Sequence, residues 1–353
     1  MSRTLARTSP VRVMPRDRQR RPDSRPLADM FLRPGERPSE RRPVVTDDHQ
    51  AVMVEEVLHF LSPRPDGVYV DATVGAGGHA GAILRATGGR CTLVGIDRDP
   101  EALSRARYNL RPYGAAVRLV QSDFIDVRWV LGSHDIERVD GILLDLGVSS
   151  MQLDVAERGF SFRHAGPLDM RMDPSQKLSA AEVVNSYSET DLARILREYG
   201  EERYASRIAR AVVDARRRAP IRTTTELSEL VESSYPRGPR RGHPARRTFQ
   251  AIRIEVNREL DVLEGALRIA PDVLAPGGRI VVISYQSLED RICKRVFASF
   301  EGRGEALPGL GTPPATGSLS VMTPNAVLPS DAEVQRNPRA SAARLRAAER
   351  RPI

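Results

Sequence analysis

Val68-Tyr-Val-Asp71-Ala-Thr-Val-Gly75-Ala-Gly77-Gly78-His79-Ala80 joins a short apolar run, closed by an acid, to a glycine-rich loop. Three runs of the same kind follow: Leu93-Val-Gly-Ile-Asp97, Val117-Arg-Leu-Val-Gln-Ser-Asp123 and Gly141-Ile-Leu-Leu-Asp145. Short apolar runs that alternate with helical stretches predict a parallel α/β sheet, and ligands of such sheets lie at the carboxyl ends of the strands. Any single one of these aspartates serves equally well as a helix cap at a strand–helix turn. Four in succession beside a glycine loop instead predict a binding edge for a ligand rich in hydroxyls and amines, such as a nucleoside.

The chain has 353 residues, 40% of them hydrophobic, enough for one large domain or two with a real core. No apolar run approaches the roughly 18 residues of a membrane span, and the N-terminus has no secretory apolar region. Two cysteines, Cys91 and Cys293, make neither a disulfide framework nor a cysteine zinc site. The expectation is a cytoplasmic protein with no membrane contact. The net charge of +8 is unevenly placed: residues 1–43 hold twelve Arg against five acids, leaving 42 basic and 41 acidic residues in the remainder. A general polyanion-binding surface on the folded part is therefore not implied, although a local patch is.

Residues 1–43, rich in Arg, Pro, Ser and Asp without apolar periodicity, predict a disordered extension, with an arm touching RNA phosphates as the alternative. The five acids argue against an organellar transit peptide. Thr46-Asp-Asp-His49 offers caps for a helix over Ala51–Leu61, and Asp99-Pro100 opens another over Glu101–Leu110. From 178 to 265 the pattern is helical, with a capping box at Ser179-Ala-Ala-Glu182. Sheet character returns at Leu274-Ala-Pro-Gly-Gly-Arg-Ile-Val-Val-Ile-Ser284. The organisation expected is a discontinuous cofactor-binding domain (44–152 and 250–300), a helical substrate-recognition insertion (153–249) and a loosely ordered basic tail (301–353).

Gly75-x-Gly77-x-x-Ala80, with Asp97 beyond it, formally matches a dinucleotide fingerprint. Asp71 points elsewhere. A carboxylate just before the glycine turn suits the ammonium of a methionine moiety and repels a pyrophosphate. Asp97 can take both ribose hydroxyls, and Asp123-Phe124 offers an acceptor and a ring to an adenine. S-adenosyl-L-methionine is thus favoured over NAD. A Leu-x-Pro-Gly-Gly turn before the last strand, as in residues 274–278, is similar to that of Rossmann-like methyltransferases.

Asp140-Gly-Ile-Leu-Leu-Asp145-Leu-Gly-Val-Ser-Ser-Met-Gln-Leu-Asp154, Glu157-Arg-Gly-Phe-Ser-Phe162 and Gly166-Pro-Leu-Asp-Met-Arg-Met-Asp173 resemble the bacterial 16S rRNA (cytosine-N4)-methyltransferase (RsmH or MraW) family. Tyr199-Gly-Glu-Glu-Arg203, Ile208-Ala-Arg210, the stretch His243–Ala251, Ser287-Leu-Glu-Asp-Arg291 and Asn337-Pro-Arg339 extend the resemblance, which covers residues 46–300 nearly continuously. It implies a Rossmann-like class I methyltransferase sheet with a helical insertion domain between the fourth and fifth strands. It also implies methylation of N4 of a cytidine in the decoding region, with 16S rRNA or the small ribosomal subunit as partner. By matching position, Gly77, Gly78, His79, Asp97, Phe124, Asp145 and Gln152 would contact the cofactor. Two departures stand out. Ile283-Ser-Tyr285-Gln286-Ser replaces the family's frequent Ile-Ser-Phe-His-Ser, and an amide cannot act as a titrating base near neutrality. Ser341-Ala342 replaces Arg-Ser.

The chemistry of amine methylation places its burden on the nucleophile, whose lone pair is delocalised into the ring. Asp145 and the carbonyls of Leu146 and Gly147 are the expected acceptors for its hydrogens. The prolines and aromatic ring that often follow such an acid are absent, so a flipped base must stack elsewhere. Phe160, Phe162, Tyr285 and Trp129 are candidates, with Phe162 and Tyr285 favoured by their neighbours and Gln286 beside them. For RNA, the loop Arg237–Arg247, with Arg240, Arg241, His243, Arg246 and Arg247, is the densest basic segment. The helical arginines Arg203, Arg207, Arg210 and Arg216–Arg218 are partly neutralised by Asp214, Glu226, Glu229 and Glu232. The six histidines are scattered without ligand spacing, so no metal is expected. Carbon-5 chemistry is disfavoured because neither cysteine is suitably placed as a nucleophile. The residues leave open an NAD-dependent oxidoreductase, a ribosome-assembly binding protein without turnover, a DNA methyltransferase, and a homodimer.

Overall fold

The four aspartate-terminated runs become adjacent parallel strands. In the computed structural model, which describes residues 51–236, 238, 242–303 and 317–352, the order of elements is as follows. Helix α1 (Val54–Leu61) leads into β1 (Val68–Asp71), α2 (Gly78–Ala86), β2 (Thr92–Asp97), α3 (Pro100–Leu110) and β3 (Val117–Gln121). Helix α4 (Val127–Gly132) and β4 (Val139–Asp145) complete the first part. Six helices then intervene: α5 (Ser150–Asp154), α6 (Ala180–Ser186), α7 (Glu189–Glu198), α8 (Ala205–Arg216), α9 (Thr224–Ser234) and α10 (Ala245–Asn257). Helix α11 (Glu259–Val273) returns the chain to β5 (Leu274–Ser284) and α12 (Ser287–Phe300). Strand β6 (Leu319–Val321), α13 (Asp331–Arg336) and β7 (Arg344–Arg350) finish it. The expected extension 1–43, the caps at 46–49, and Arg240 and Arg241 lie outside the described residues.

The seven strands are ordered β3-β2-β1-β4-β5-β7-β6. Strands β1 to β5 run parallel, and β7 pairs antiparallel with both β5 and β6. Strand order reverses beside β1, which pairs with β2 on one side and β4 on the other. Two strand-to-helix connections therefore diverge there and leave a crevice at the carboxyl edge. The central strands are apolar throughout because both faces are covered. On one face Val70, Val94, Ile142, Leu144 and Val282 pack with Val130, Leu267 and Phe297 from α4, α11 and α12. On the other, Tyr69, Leu93, Leu143 and Val281 pack with Leu61, Ile83, Leu84 and Leu110 from α1, α2 and α3.

The helices between β4 and β5 bury a core of their own, including Val183, Leu192, Ile195, Ile208, Val212, Leu227, Val231, Phe249 and Ile252. Its helical periodicity was readable because each helix offers it one stripe. Helix α10 runs unbroken across 249/250 and contributes Ala251, Ile252 and Val256 to this core. The chain leaves the helical layer at Arg258, whose left-handed φ of 51° separates α10 from α11. Asn257 fastens this junction: its amide donates to Met170 O (2.8 Å) and its carbonyl oxygen accepts from Met172 N (2.9 Å).

Three expectations are corrected. The first helix begins at Val54, since Met53 takes a left-handed conformation (φ 55°) at the N-cap that prevents an earlier start. The third strand ends at Gln121, and Asp123 caps a single turn at Phe124–Asp126. Residues 317–352 are not loose: β7 is an inserted strand with Leu345, Ala347 and Ala348 buried. Its sequence, Arg344-Leu-Arg-Ala-Ala-Glu-Arg, has little β propensity, and its place depends on pairing with β5.

That pairing brings a charge inside. Arg346 is 8% exposed and donates through Nε to Asp290 Oδ1 (2.6 Å) and through Nη2 to Oδ2 (3.2 Å). Removing one partner strands the other without water. Asp290→Ala should lower the unfolding free energy by about 3 kcal/mol in urea titration, and Asp290→Ala with Arg346→Met should lose less than the single change.

Candidate functional site

Glycine shapes the loop after β1. Gly75 and Gly77 take left-handed φ values of 53° and 89°, which admit two tight reversals before α2 begins. A Cβ on Gly77 would also lie 3.1 Å from Leu110. The loop is held from outside, since the Gly75 N–H donates to Asp97 Oδ2 (2.9 Å). Helix α2 then begins at Gly78 with no side-chain cap on its first turn, and the N–H groups of an uncapped helix start suit a carboxylate.

Each of the four aspartates is fixed differently. Asp71 is 1% exposed, and burial pushes its pKa up to about 6; among the described residues only the Thr73 N–H (3.3 Å) is bound to its carboxylate. Such a group is poised to take a cation. Asp97 is committed to the loops on either side: Oδ2 accepts from Gly75, and Oδ1 from Asp99 N (2.9 Å). Burial raises its pKa as well. Ribose hydroxyls would use the second lone pair of each oxygen. Asp123 caps Ile125 and forms an ion pair with Arg98 (2.8 Å), whose guanidinium also lies over the Phe124 ring. Asp145 closes β4 with its backbone N–H on Thr73 Oγ1 (2.7 Å).

Around Asp145 the structure gathers three residues from different elements. His79 Nε2 meets Val52 O at 2.9 Å, so that nitrogen carries the hydrogen, and Nδ1 lies 3.6 Å from Asp145 Oδ2. Tyr285 donates its hydroxyl to Asp145 Oδ1 at 2.9 Å. Burial raises the Asp145 pKa, and the His79 ring and the tyrosine hydroxyl oppose that rise. Gly147, with φ 102°, turns the chain away immediately after Leu146, and its Cβ position would be 3.4 Å from the Tyr285 ring. An acid, a histidine and a tyrosine ring thus meet at one strand end.

The side chain of Gln152 points inward. Its amide donates to Asp99 Oδ2 (3.1 Å), and its carbonyl oxygen accepts from Ser149 N (3.0 Å). Among the stacking candidates, Phe160 is buried in the helical core and Trp129 is exposed on α4. Phe162 already stacks on His243, with ring centroids 4.6 Å apart, and meets Phe249 edge-on. Arg246 and Arg247 are exposed, and Arg247 donates to Glu201 O (2.8 Å). Gln286 holds the N-cap position of α12, where Glu289 Oε2 accepts from both Tyr285 N (2.9 Å) and Gln286 N (3.1 Å).

Four structural partners of the site were not readable from the sequence. Thr73 and Arg98 are described above, and Asp99 with Arg158 forms a buried pair at 2.8 Å beneath Gln152. Arg158 lies in the quoted Glu157-Arg-Gly-Phe stretch, but nothing in its spacing indicates a partner 59 residues earlier. Among the described residues, no group of three or more His, Cys, Asp or Glu is placed to hold a metal ion.

The model of the MraW methylase family matches residues 46–351. The chain is 51% identical over 309 residues to a ribosomal RNA small subunit methyltransferase H from Thermobifida fusca, covering 86% of this chain and 93% of that one. The protein of the same name from Geotalea uraniireducens is 50% identical over 307 residues (86% and 98%). That from Methylococcus capsulatus is 53% identical over 301 residues (85% and 99%).

Gly77 offers a test of the loop. Gly77→Ala should cost about 1–2 kcal/mol in urea unfolding, from its left-handed φ and the approach of Leu110.

Proposed function

The chain belongs to the MraW methylase family, and from that premise we propose that it transfers a methyl group from S-adenosyl-L-methionine to N4 of a cytidine in the decoding region of 16S rRNA. The observation that carries this reading is the Asp145 carboxylate. It stands at the carboxyl end of a central strand, held by the Tyr285 hydroxyl and flanked by the His79 ring, with 24% of its side chain still exposed. A fixed, accessible acceptor at that edge is what a weakly nucleophilic amine needs.

The crevice suits the cofactor. Asp71 offers a buried carboxylate to the ammonium, the glycine loop offers backbone N–H groups without side-chain bulk, and Asp97 offers acceptors to ribose. Asp123 and Phe124 border the position an adenine would take. When bound, the cofactor supplies an electrophilic methyl on a sulfonium that is already a good leaving group. The remaining work falls to the chain's own residues. Asp145 Oδ2 and the carbonyls of Leu146 and Gly147 accept the hydrogens of the exocyclic amine and hold its lone pair out of conjugation. Asp145 takes the proton that the amine sheds. Gln286 has no titrating group to serve as base, which concentrates that duty on Asp145.

Recognition of RNA falls to the helical layer, taken as 153–257. The described residues contribute the Phe162–His243 stack and the exposed Arg246 and Arg247, and Arg240 and Arg241 precede these arginines in the sequence. Phosphate contacts from such arginines position the substrate, and a base everted from its stack would meet the rim formed by Tyr285 and Gln286.

Two experiments test this reading. Mass spectrometry of 16S rRNA nucleosides from cells lacking the gene should show loss of an N4-methylated cytidine, restored by wild type and not by Asp145→Ala. An unchanged nucleoside profile would instead favour a binding protein without turnover. The second concerns Asp71. Its folded pKa of about 6 lies above the ordinary 3.8, so the carboxyl loses its charge as pH falls through 6. Calorimetric affinity for S-adenosylhomocysteine should therefore weaken about tenfold between pH 7.5 and pH 5, and Asp71→Asn should abolish that dependence.

A further inference from the structure

The Tyr285 ring packs against the core on one face of the sheet, but its hydroxyl serves a different purpose. Its backbone is set by β5 and by Glu289, while its hydroxyl reaches across to a different strand. Strand β5 pairs with β4 so that Ile283 lies opposite Asp145. Tyr285 therefore stands two residues past that register, just beyond the end of its strand and beside the chain leaving β4. The Glu289 carboxylate accepts both the Tyr285 and the Gln286 N–H, and so fixes the turn from which the ring projects. From there the hydroxyl donates to Asp145 Oδ1 at 2.9 Å.

The consequence lies in how the carboxylate can rotate. The backbone of Asp145 is anchored by Thr73, while its side chain lies among His79, Tyr285 and the charge of Asp71. His79 Nδ1 is 3.6 Å from Oδ2, too far for a hydrogen bond, and its ring is tethered by the Val52 carbonyl. Among the described residues, the one hydrogen bond on the carboxylate is that of Tyr285. It engages Oδ1 and leaves Oδ2, 3.6 Å from His79 Nδ1, to the remaining capacity of a side chain that is 24% exposed.

We propose that Tyr285 is a positioning residue for the transfer, its hydroxyl orienting the Asp145 carboxylate so that Oδ2 is presented, ionised, to the substrate amine. This rests on the reading of Asp145 as the acceptor for that amine. The charged and titratable groups around Asp145 are His79 on α2 and Asp71 on β1, and those facing Tyr285 beyond Asp145 are Glu289 on α12 and Glu333 on α13. The acids around it, together with burial, keep the tyrosine protonated and hence a donor throughout the working pH range. A hydrogen bond to a charged acceptor shifts its proton affinity by about one pH unit or more.

The test compares full-length wild type with Tyr285→Phe, which removes one oxygen and keeps the ring. Two quantities are read. The Asp145 carboxyl is titrated by NMR of protein labelled with 13C at aspartate, its signal assigned through Asp145→Asn. The turnover number is measured from pH 5.5 to 9 with S-adenosyl-L-methionine and small ribosomal subunits from cells lacking the gene. The Asp145 titration should move up by about one unit in Tyr285→Phe. The acid limb of kcat should move up with it, so that the loss grows as pH falls, towards about tenfold at the acid end, and nearly vanishes on the alkaline plateau. S-adenosylhomocysteine affinity at pH 8 and the melting temperature should change little. If neither the titration nor the acid limb moves, the hydroxyl is a structural ornament and the proposal is overturned, while the assignment of Asp145 stands on its own test. If the titration moves and the acid limb does not, Asp145 is not the acceptor, and both readings fall together. A turnover loss of equal size at every pH also overturns the proposal.

Discussion

Burying a row of carboxylates at one edge of a sheet is costly unless each finds donors, and that constraint organises the carboxyl edge of this protein. Asp97 satisfies it by accepting the N–H groups of Gly75 and Asp99, and so ties the loops after β1 and β2 together. Asp99 accepts from Gln152 and pairs with Arg158, which joins the β2 loop to the segment after β4. Asp123 binds Arg98, and Arg98 donates in turn to Asn257 O at the end of α10 (3.0 Å). The acids are therefore the fasteners of the crevice as well as its lining. Asp71 and Asp145 are the exceptions. They keep few partners, and burial raises the pKa of both. Residues left under-satisfied at such an edge are those with capacity for a ligand.

The helical layer extends the same logic. Its core is separate from the two cores flanking the sheet, so its register against the crevice is carried by polar links rather than by shared apolar packing. Asn257 and Arg98 form one link. Glu201 forms another, accepting from Ser287 Oγ (2.8 Å) and pairing with Arg291 (3.2 Å) at the start of α12. The separate cores thus lie within one compact unit, Asp48–Ile353, and these directional bonds run between them.

Strand β7 resolves the exposed edge that β5 would otherwise present. Its alanines allow α12 to approach closely, and Arg346 is admitted to the interior only because Asp290 waits at the first turn of that helix. The C-terminal segment thereby reaches the site as well, since Glu333 on α13 accepts the Met53 N–H.

Local physics made much of this legible in the sequence. The apolar runs of β1, β2 and β4 specified parallel strands because each is covered on both faces, while β3 at the sheet edge is only partly buried. The aspartates at or just past their ends stand at the carboxyl edge for the same topological reason. The glycines at 75 and 77 announced a turn that side chains would obstruct. Helical stripes such as Leu192, Ile195, Leu196 and Tyr199 declared a second apolar layer. None of these depends on distant neighbours. What only the tertiary structure decided is pairing across sequence: β7 beside β5, Arg158 under Asp99, His79 and Tyr285 on Asp145. Alanine-rich Arg344–Arg350 is a strand because β5 offers it an edge, and Tyr285 serves Asp145 because strand register places them side by side. Residue type and spacing carry local conformation and burial, whereas a hydrogen bond between residues 140 positions apart exists only once the sheet has set their distance.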